Sequence, residues 1–310
     1  MLPMLTIILC ALFSENQFPL KMSGLVVPQN THSSVHYGKV GEQWFWYEGT
    51  RNGLLEPQPQ SRQLFRQSGD YLVVFNPLGG PFHLYHPKTG YRKVPQMGAA
   101  WCVEVWGDKL YTGRFSNDQL DLQIYDLSGK ALKSESFEIA IKQRDYTSKS
   151  LHSALVGGEL HLWLPASGDY FKVDAKFTLL DRKAISLPEH LAAFSITLWS
   201  EMDAFSGNPE GLKAFCLKNQ GMPLRLEPVT MFEMKGKLNL VYNAIEIAGY
   251  DHANKAFLPE IKNYVFVLGS QGIVDEKVYP GHEIRGRFDN GLLHLNREND
   301  QMLYSKITYE

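Results

Sequence analysis

The sequence predicts an all-β protein assembled from repeated antiparallel sheets, and three observations predict it. First, a hairpin with a short glycine-containing turn recurs along the chain. Second, a different turn phrase recurs between these hairpins at a spacing close to one four-stranded sheet. Third, aromatic residues make up 12% of the chain and fall in short runs such as "WFWY" at Trp44 to Tyr47; aromatic and β-branched side chains suit pleated, half-buried surfaces.

The first hairpin reads "LFRQSGDYLVVF" (64–75), "CVEVWGDKLYTG" (102–113), "HSALVGGELHLW" (152–163), "TMFEMKGKLNLVY" (230–242) and "RGRFDNGLLHLN" (285–296). Each copy has apolar positions flanking a two- or three-residue turn. The Gly-Asp, Gly-Gly and Asn-Gly pairs supply the positive φ that such turns need. The second phrase centres on Gly90 in "YHPKTGY", Gly129 in "YDLSGKA", Gly221 in "LKNQGMP" and Gly272 in "LGSQGIV". The gap from Gly129 to Gly221 is about twice the others, so a copy lacking glycine is expected between them, and "YFKVDAKFTLLDRKAI" (170–185) fits. A repeat of roughly 40 to 50 residues holding four antiparallel strands is the unit of a β-propeller.

Taken in order, the units are 61–97, 98–146, 147–187, 188–228, 229–280 and 281–310. The fourth is placed by elimination, its first hairpin lying in "LAAFSITLWSEMDAF" (191–205). The last contains "QMLYSKITYE" and stops one strand short. A strand from "VHYGKVGEQWFWYEG" (35–49) is expected to complete it and so remove an exposed edge. Residues 33–48 also resemble a first hairpin, and counting them separately makes seven units. Six is preferred, because "NGLLEPQPQSR" (52–62) reads as a loop. Residues 23–310 then form a single domain.

On these repeats the chain resembles six-bladed β-propellers of the broad NHL/TolB-like type. The resemblance rests on architecture and turn phrases; the WD40, kelch and Asp-box signatures are absent from the sequence. It implies an all-β ring and leaves the activity open, because one fold hosts many chemistries.

The chain has 310 residues, with 31 basic and 33 acidic side chains interspersed. With no Lys/Arg block, nucleic acid is not expected as a partner. Of the three cysteines, Cys102 and Cys216 are read as buried thiols, with a disulfide between them left open. Cys10 lies in the apolar run Leu5 to Phe13, a run sized for a signal-peptide core and too short to span a bilayer. Residues 1–22 are read as a signal peptide, which makes the protein secreted or periplasmic, or else as a mis-assigned start, which places translation from Met22 in the cytoplasm.

Propellers bind ligands where their innermost strands converge, and the first strand of each unit is taken as innermost. This places Arg66, Glu104, His152, Arg285 and Arg287 as candidate ligand-binding residues of the channel. Arginine and histidine donors there suit an anionic or sugar-like ligand; the competing reading is Arg–Glu pairs that tie units together. His86, His161 and His294 fall in different units, so a shared metal is not expected. The sequence carries no G-x-S-x-G elbow and no P-loop. The leading expectation is a monomeric, non-enzymatic module that binds a protein, peptide or glycan on one face of the ring, without a cofactor. The alternative is a lactonase-like hydrolase or lyase with Ca²⁺ or another divalent cation at the channel.

Overall fold

The computed structural model describes residues 24–26, 33, 35–48, 51–60, 63–116, 118–140, 150–192, 201–205, 207–281, 283–288, 291–298 and 301–309. These form six antiparallel sheets. Sheet one holds β1 (Gly24–Val26), β2 (Val35–Val40), β3 (Gln43–Glu48) and β4 (Arg51–Leu54). Sheet two holds β5 (Leu64–Ser68), β6 (Tyr71–Phe75), β7 (Gly80–His86) and β8 (Gly90–Met97). Sheet three holds β9 (Cys102–Trp106), β10 (Lys109–Ser116), β11 (Gln119–Asp126) and β12 (Ala131–Glu138). Sheet four holds β13 (His152–Val156), β14 (Glu159–Leu164), β15 (Asp169–Val173) and β16 (Leu179–Ala184). Sheet five holds β17 (Pro223–Met234), β18 (Lys237–Asp251), β19 (Ala256–Leu268) and β20 (Ile273–Pro280). Sheet six holds β21 (Glu283–Phe288), β22 (Gly291–Glu298) and β23 (Gln301–Thr308).

Each sheet follows chain order, and the first strands lie side by side in the series β1, β5, β9, β13, β17, β21. The protein is an all-β propeller with those strands innermost. In sheets two to four the outer strand alternates exposed and half-buried positions or is largely exposed, as in β12 and β16, while the second strands β6 and β14 are buried beyond their first residue.

The seams between sheets explain the apolar runs. Leu72, Val74 and Tyr85 pack with Val35 and Tyr37 between sheets one and two. Their neighbours Val73 and Phe75 face the other way, onto Val103 and Leu110 of sheet three. Leu160, Leu162 and Phe171 meet Tyr111, Leu120 and Leu122. Trp163 and Tyr170 meet Leu240, Tyr242 and Phe266. Phe232, Val241 and Val265 meet Ile284 and Leu292. A strand buried on both faces reads as a continuous apolar run rather than an alternating one. Each fully buried large apolar side chain contributes about 1.5–3 kcal/mol.

The echo of "YHPKTGY" in "YDLSGKA" has a local cause. Asp126 closes the β11–β12 turn by accepting the N–H groups of Ser128 (2.8 Å) and Lys130 (3.0 Å). Asp174 does the same between β15 and β16 with Lys176 and Thr178, both at 2.8 Å. His86 Nδ1 accepts from Lys88 (3.1 Å) and Thr89 (3.2 Å) between β7 and β8. The glycine-free copy expected in 170–185 is therefore present.

Several expectations are corrected. Residues 35–49 do not complete the last sheet; β2 and β3 pair with each other across the Gly41–Glu42 turn and belong to sheet one. The local hairpin closes a far shorter loop than a pairing with the C-terminus would. Residues 52–54 of the expected loop fall in strand β4, paired to β3. Residues 188–228 are not a sheet. They contain helices α1 (Glu189–Ala192) and α2 (Pro209–Lys218) before β17 begins. Part of the hairpin expected in 191–205, including Trp199, lies outside the described residues. Gly221 therefore belongs to the approach to β17. Six complete sheets are not reached among the described residues: five have four strands and the last has three.

Helix α2 starts at Asn208, whose Oδ1 accepts the Gly211 N–H at 3.0 Å, with Pro209 in the first turn. It packs Phe215 and Cys216 onto Leu224 and Ile247 of sheet five. That sheet's first three strands run 12, 15 and 13 residues, longer than those of the other sheets, and the excess length carries the helix. Cys102 and Cys216 are both free and buried, so the disulfide left open by the sequence does not form. Among the described residues no helix is long and apolar enough to cross a membrane.

Gly129 shows how tightly consecutive sheets approach. Its φ is 91°, and a Cβ there would lie 2.8 Å from the Pro95 carbonyl oxygen of sheet two. Gly107 has φ 64° with open space around it. Gly129→Ala is expected to lower unfolding free energy by about 2–3 kcal/mol, and Gly107→Ala by only about 1 kcal/mol. Urea denaturation of the two variants checks the order.

Candidate functional site

The innermost strands are short, and their polar side chains cannot all point at solvent. Arg66 and Ser68 stand on the face of β5 that looks toward sheet three, since Phe65 and Gln67 are engaged on the opposite side with sheet one. Glu104 and Cys102 share a face of β9, two residues apart. Ser153 and His152 are adjacent on β13 and project to opposite faces.

Glu104 is the centre of this group and is 1% exposed. Its Oε2 accepts the Ser68 hydroxyl at 2.5 Å and its Oε1 accepts the Ser153 hydroxyl at 2.8 Å. Ser68 Oγ in turn accepts the Val105 N–H at 2.8 Å. One buried carboxylate thus bridges three consecutive inner strands, β5, β9 and β13. A carboxylate without such donors would be very costly to bury.

Arg66 lies near both Cys102 and Glu104. Burial works against its charge, and the two acidic groups support it. It is partly exposed, whereas Ser68, Cys102, Glu104, His152 and Ser153 are buried. Burial pushes the Cys102 thiol up to about 12, with Arg66 opposing the shift; the thiol is therefore not a nucleophile near neutral pH. His152 is held down at about 3, first by burial and then by the charge of Arg66. Its ring stacks on Trp163 with centroids 5.0 Å apart, and Trp163 meets Tyr242 edge-on. Both ring nitrogens of His152 are buried without a hydrogen-bond partner.

Of the five expected channel residues, Arg66 and Glu104 stand near each other, while His152 projects to the opposite face of β13 from Ser153 and stacks on Trp163. Arg285 and Arg287 are not part of the group. Both are on β21, where Arg285 pairs with Glu283 of its own strand. Arg287 Nη1 donates to the Glu233 carbonyl at 3.1 Å and lies 3.7 Å from its carboxylate, joining β17 to β21. Glu233 Oε1 also accepts the Gly236 N–H at 2.5 Å. This is the inter-sheet tie that the sequence offered as the competing reading.

Sequence reasoning missed Ser68, Ser153, Cys102 and Trp163. The serines carried a weak signal: Ser68 ends its inner strand and Ser153 stands second in its own. The three histidines considered for a metal stand apart, on β7, β14 and β22. His161 is engaged through Nδ1 with the Tyr170 hydroxyl at 2.6 Å. Among the described residues no group of three His, Cys, Asp or Glu side chains is placed to hold a metal ion.

The Ser68 and Ser153 hydroxyls are directed at Glu104, and His152 bonds to neither.

No family model and no curated protein matches the chain. Solved structures are similar along most of its length. A member of the DUF4221 family from Bacteroides vulgatus is 9% identical, with 94% of this chain and 96% of that one covered and a TM-score of 0.49. Virginiamycin B lyase from Staphylococcus aureus is 11% identical, with 95% and 83% covered and a TM-score of 0.45. A protein of unknown function from Bacteroides caccae is 10% identical, with 92% and 89% covered and a TM-score of 0.44. At these values no activity or residue role passes from them to this chain.

Two outcomes follow from the geometry. Glu104→Gln leaves one serine hydroxyl without its acceptor and the Arg66 charge without its buried counter-charge. It is expected to destabilise the fold by about 3 kcal/mol in urea unfolding. His152 has a folded pKa of about 3, below its unfolded value, so the unfolded chain binds more protons between the two. Its stabilising contribution is complete above the ordinary histidine range, about pH 6.5. It is lost as pH falls from there toward about 3. The groups facing it are the Arg66 charge and the Trp163 ring. His152→Phe is expected to flatten the decline of Tm between pH 7 and pH 4 relative to the parent protein.

Proposed function

We propose that the protein is a non-enzymatic binding module that holds a protein, peptide or glycan on one face of its ring. In this reading the five complete blades and the three-stranded sheet act as one scaffold, which presents the inner-strand group at Arg66 to the ligand. The observation that carries the reading is the state of Glu104. This buried acid is held by two serine hydroxyls from neighbouring strands, which makes it a structural clamp rather than a general base or a metal ligand. A preorganised polar group on rigid strands suits recognition.

The alternative is a lactonase-like hydrolase or lyase using a divalent cation. It needs several acidic or amide oxygens converging within about 2.3–2.6 Å of one ion. Glu104 and Glu233 stand on different inner strands, and each is engaged with other partners.

The module is further proposed to be exported and monomeric, with residues 23–310 as its single domain. N-terminal sequencing of the mature protein and its elution volume on size exclusion test those two points; a cytoplasmic start at Met1 or Met22 defeats export.

Binding and turnover are separated by one pair of measurements on the full chain. Glycan and peptide arrays are expected to show saturable retention, and lactone substrates with added Ca²⁺ are expected to show no turnover above buffer. Lactone hydrolysis that disappears in Glu104→Ala would overturn the binding reading.

A further inference from the structure

Asparagines interrupt the apolar seam between sheets five and six. Val241 of β18 and Val265 of β19 face Ile284 and Leu292 of sheet six. Two positions along each strand, on the same face, stand Asn243 and Asn263. They are direct register partners across the β18–β19 ladder, which puts their Cβ atoms about 4.5–5.5 Å apart. Asn263 is 0% exposed and Asn243 9%.

Sheet six fixes how the Asn263 amide is turned. Its Oδ1 accepts the Ile284 N–H of β21 at 2.9 Å. Its Nδ2 points elsewhere and is buried with no hydrogen-bond partner among the described residues. Asn243 Oδ1 is buried in the same condition. One unused donor and one unused acceptor thus stand on opposed side chains of a single face. β21 is also bulged here. Ile284 pairs with His294 and Gly286 with Leu293, so Arg285 is the extra residue. A bulge bends its strand and leaves the backbone groups of the extra residue off the ladder.

We propose that Asn243 and Asn263 hold one internal water molecule in the seam between sheets five and six, beside the bulge of β21. The water accepts from Asn263 Nδ2 and donates to Asn243 Oδ1, so both buried groups are satisfied. The mixed pair selects it. A cation takes acceptors and meets the Nδ2 protons; an anion takes donors and meets the Oδ1 lone pairs. Burial of both amides leaves room only for a small neutral molecule that donates and accepts at once. The bulged backbone at Arg285 offers the further partner that internal waters usually take.

The inference is independent of the binding reading and concerns how the three-stranded sheet is fastened. Asn239 stands on the same face of β18 and accepts the Tyr309 hydroxyl at 2.7 Å. Asn263 holds Ile284 near the start of sheet six, Asn239 holds Tyr309 just past its last strand, and the water fills the polar contact between them.

The test uses the full chain. A crystal structure is expected to show one water oxygen within about 2.7–3.2 Å of both Asn243 Oδ1 and Asn263 Nδ2. In solution, a rotating-frame NOE experiment on the wild-type protein needs no substitution that could disturb folding. It is expected to show contact between water and the Asn263 side-chain amide protons, with the sign that separates contact from chemical exchange. Asn243→Leu removes the acceptor and keeps the bond from Ile284 to Asn263. It is expected to abolish that contact and to raise the unfolding equilibrium constant about tenfold, the cost of an unsatisfied buried donor. An ion at the site, a direct Asn243–Asn263 hydrogen bond with no water on either, no water contact to the Asn263 amide, or a contact that persists in Asn243→Leu overturns the proposal.

Discussion

The second strands of sheets two and four have to bury both of their faces, and the rest of the architecture follows from that constraint. A single four-stranded sheet cannot do so alone. Placing sheets face to face in series gives each interior sheet two neighbours, so that Leu72 and Val74 serve one seam while Val73 and Phe75 serve the next. The seams carry the large side chains, Trp163, Tyr37, Phe171 and Phe266 among them, at or near zero exposure. Stability is thereby spread over five similar interfaces, a nearest-neighbour arrangement of the kind seen in repeat proteins.

The same constraint makes the inner strands the natural place for polar chemistry. There the first strands of successive sheets lie side by side. Two ties cross between strands in this region, each using an acid from one strand and donors from its neighbours. Glu104 gathers Ser68 and Ser153. Glu233 gathers Arg287 and the Gly236 N–H. The first leaves Arg66 as a cation at the edge of the cluster, and this difference between the two halves sets the candidate site on sheets two to four.

Sheet five departs from the others because it carries a second small core. Its long strands extend past the ring contacts, and α2 covers them by packing Phe215 and Cys216 on Ile247. On the same extension Glu246 accepts Lys262 at 2.6 Å and the Tyr264 hydroxyl at 3.2 Å, so an acid at 7% exposure is also satisfied there. The extension is thus a packed unit with its own polar tie.

The sequence by itself determined what is local. Turn chemistry, hairpin register and the order of strands within a unit depend on residues a few positions apart; Asp126, Asp174 and the glycine pairs write them directly into the text. That is why the propeller, its innermost first strands and the hidden copy at 170–185 were legible. Only the tertiary structure decided what depends on distant partners. Residues 35–49 are a hairpin in either reading, and sequence could not say which sheet receives them. The helical insert was misread because unit spacing was trusted over the Asn208–Pro209 start signal. Arg66 and Arg287 look equivalent in the chain, yet the carboxylate beside Arg66 is already held by two serines, while Arg287 has the Glu233 carboxylate reaching it from the neighbouring inner strand. That difference comes from side chains some 36 to 54 positions away, brought together only when sheets pack.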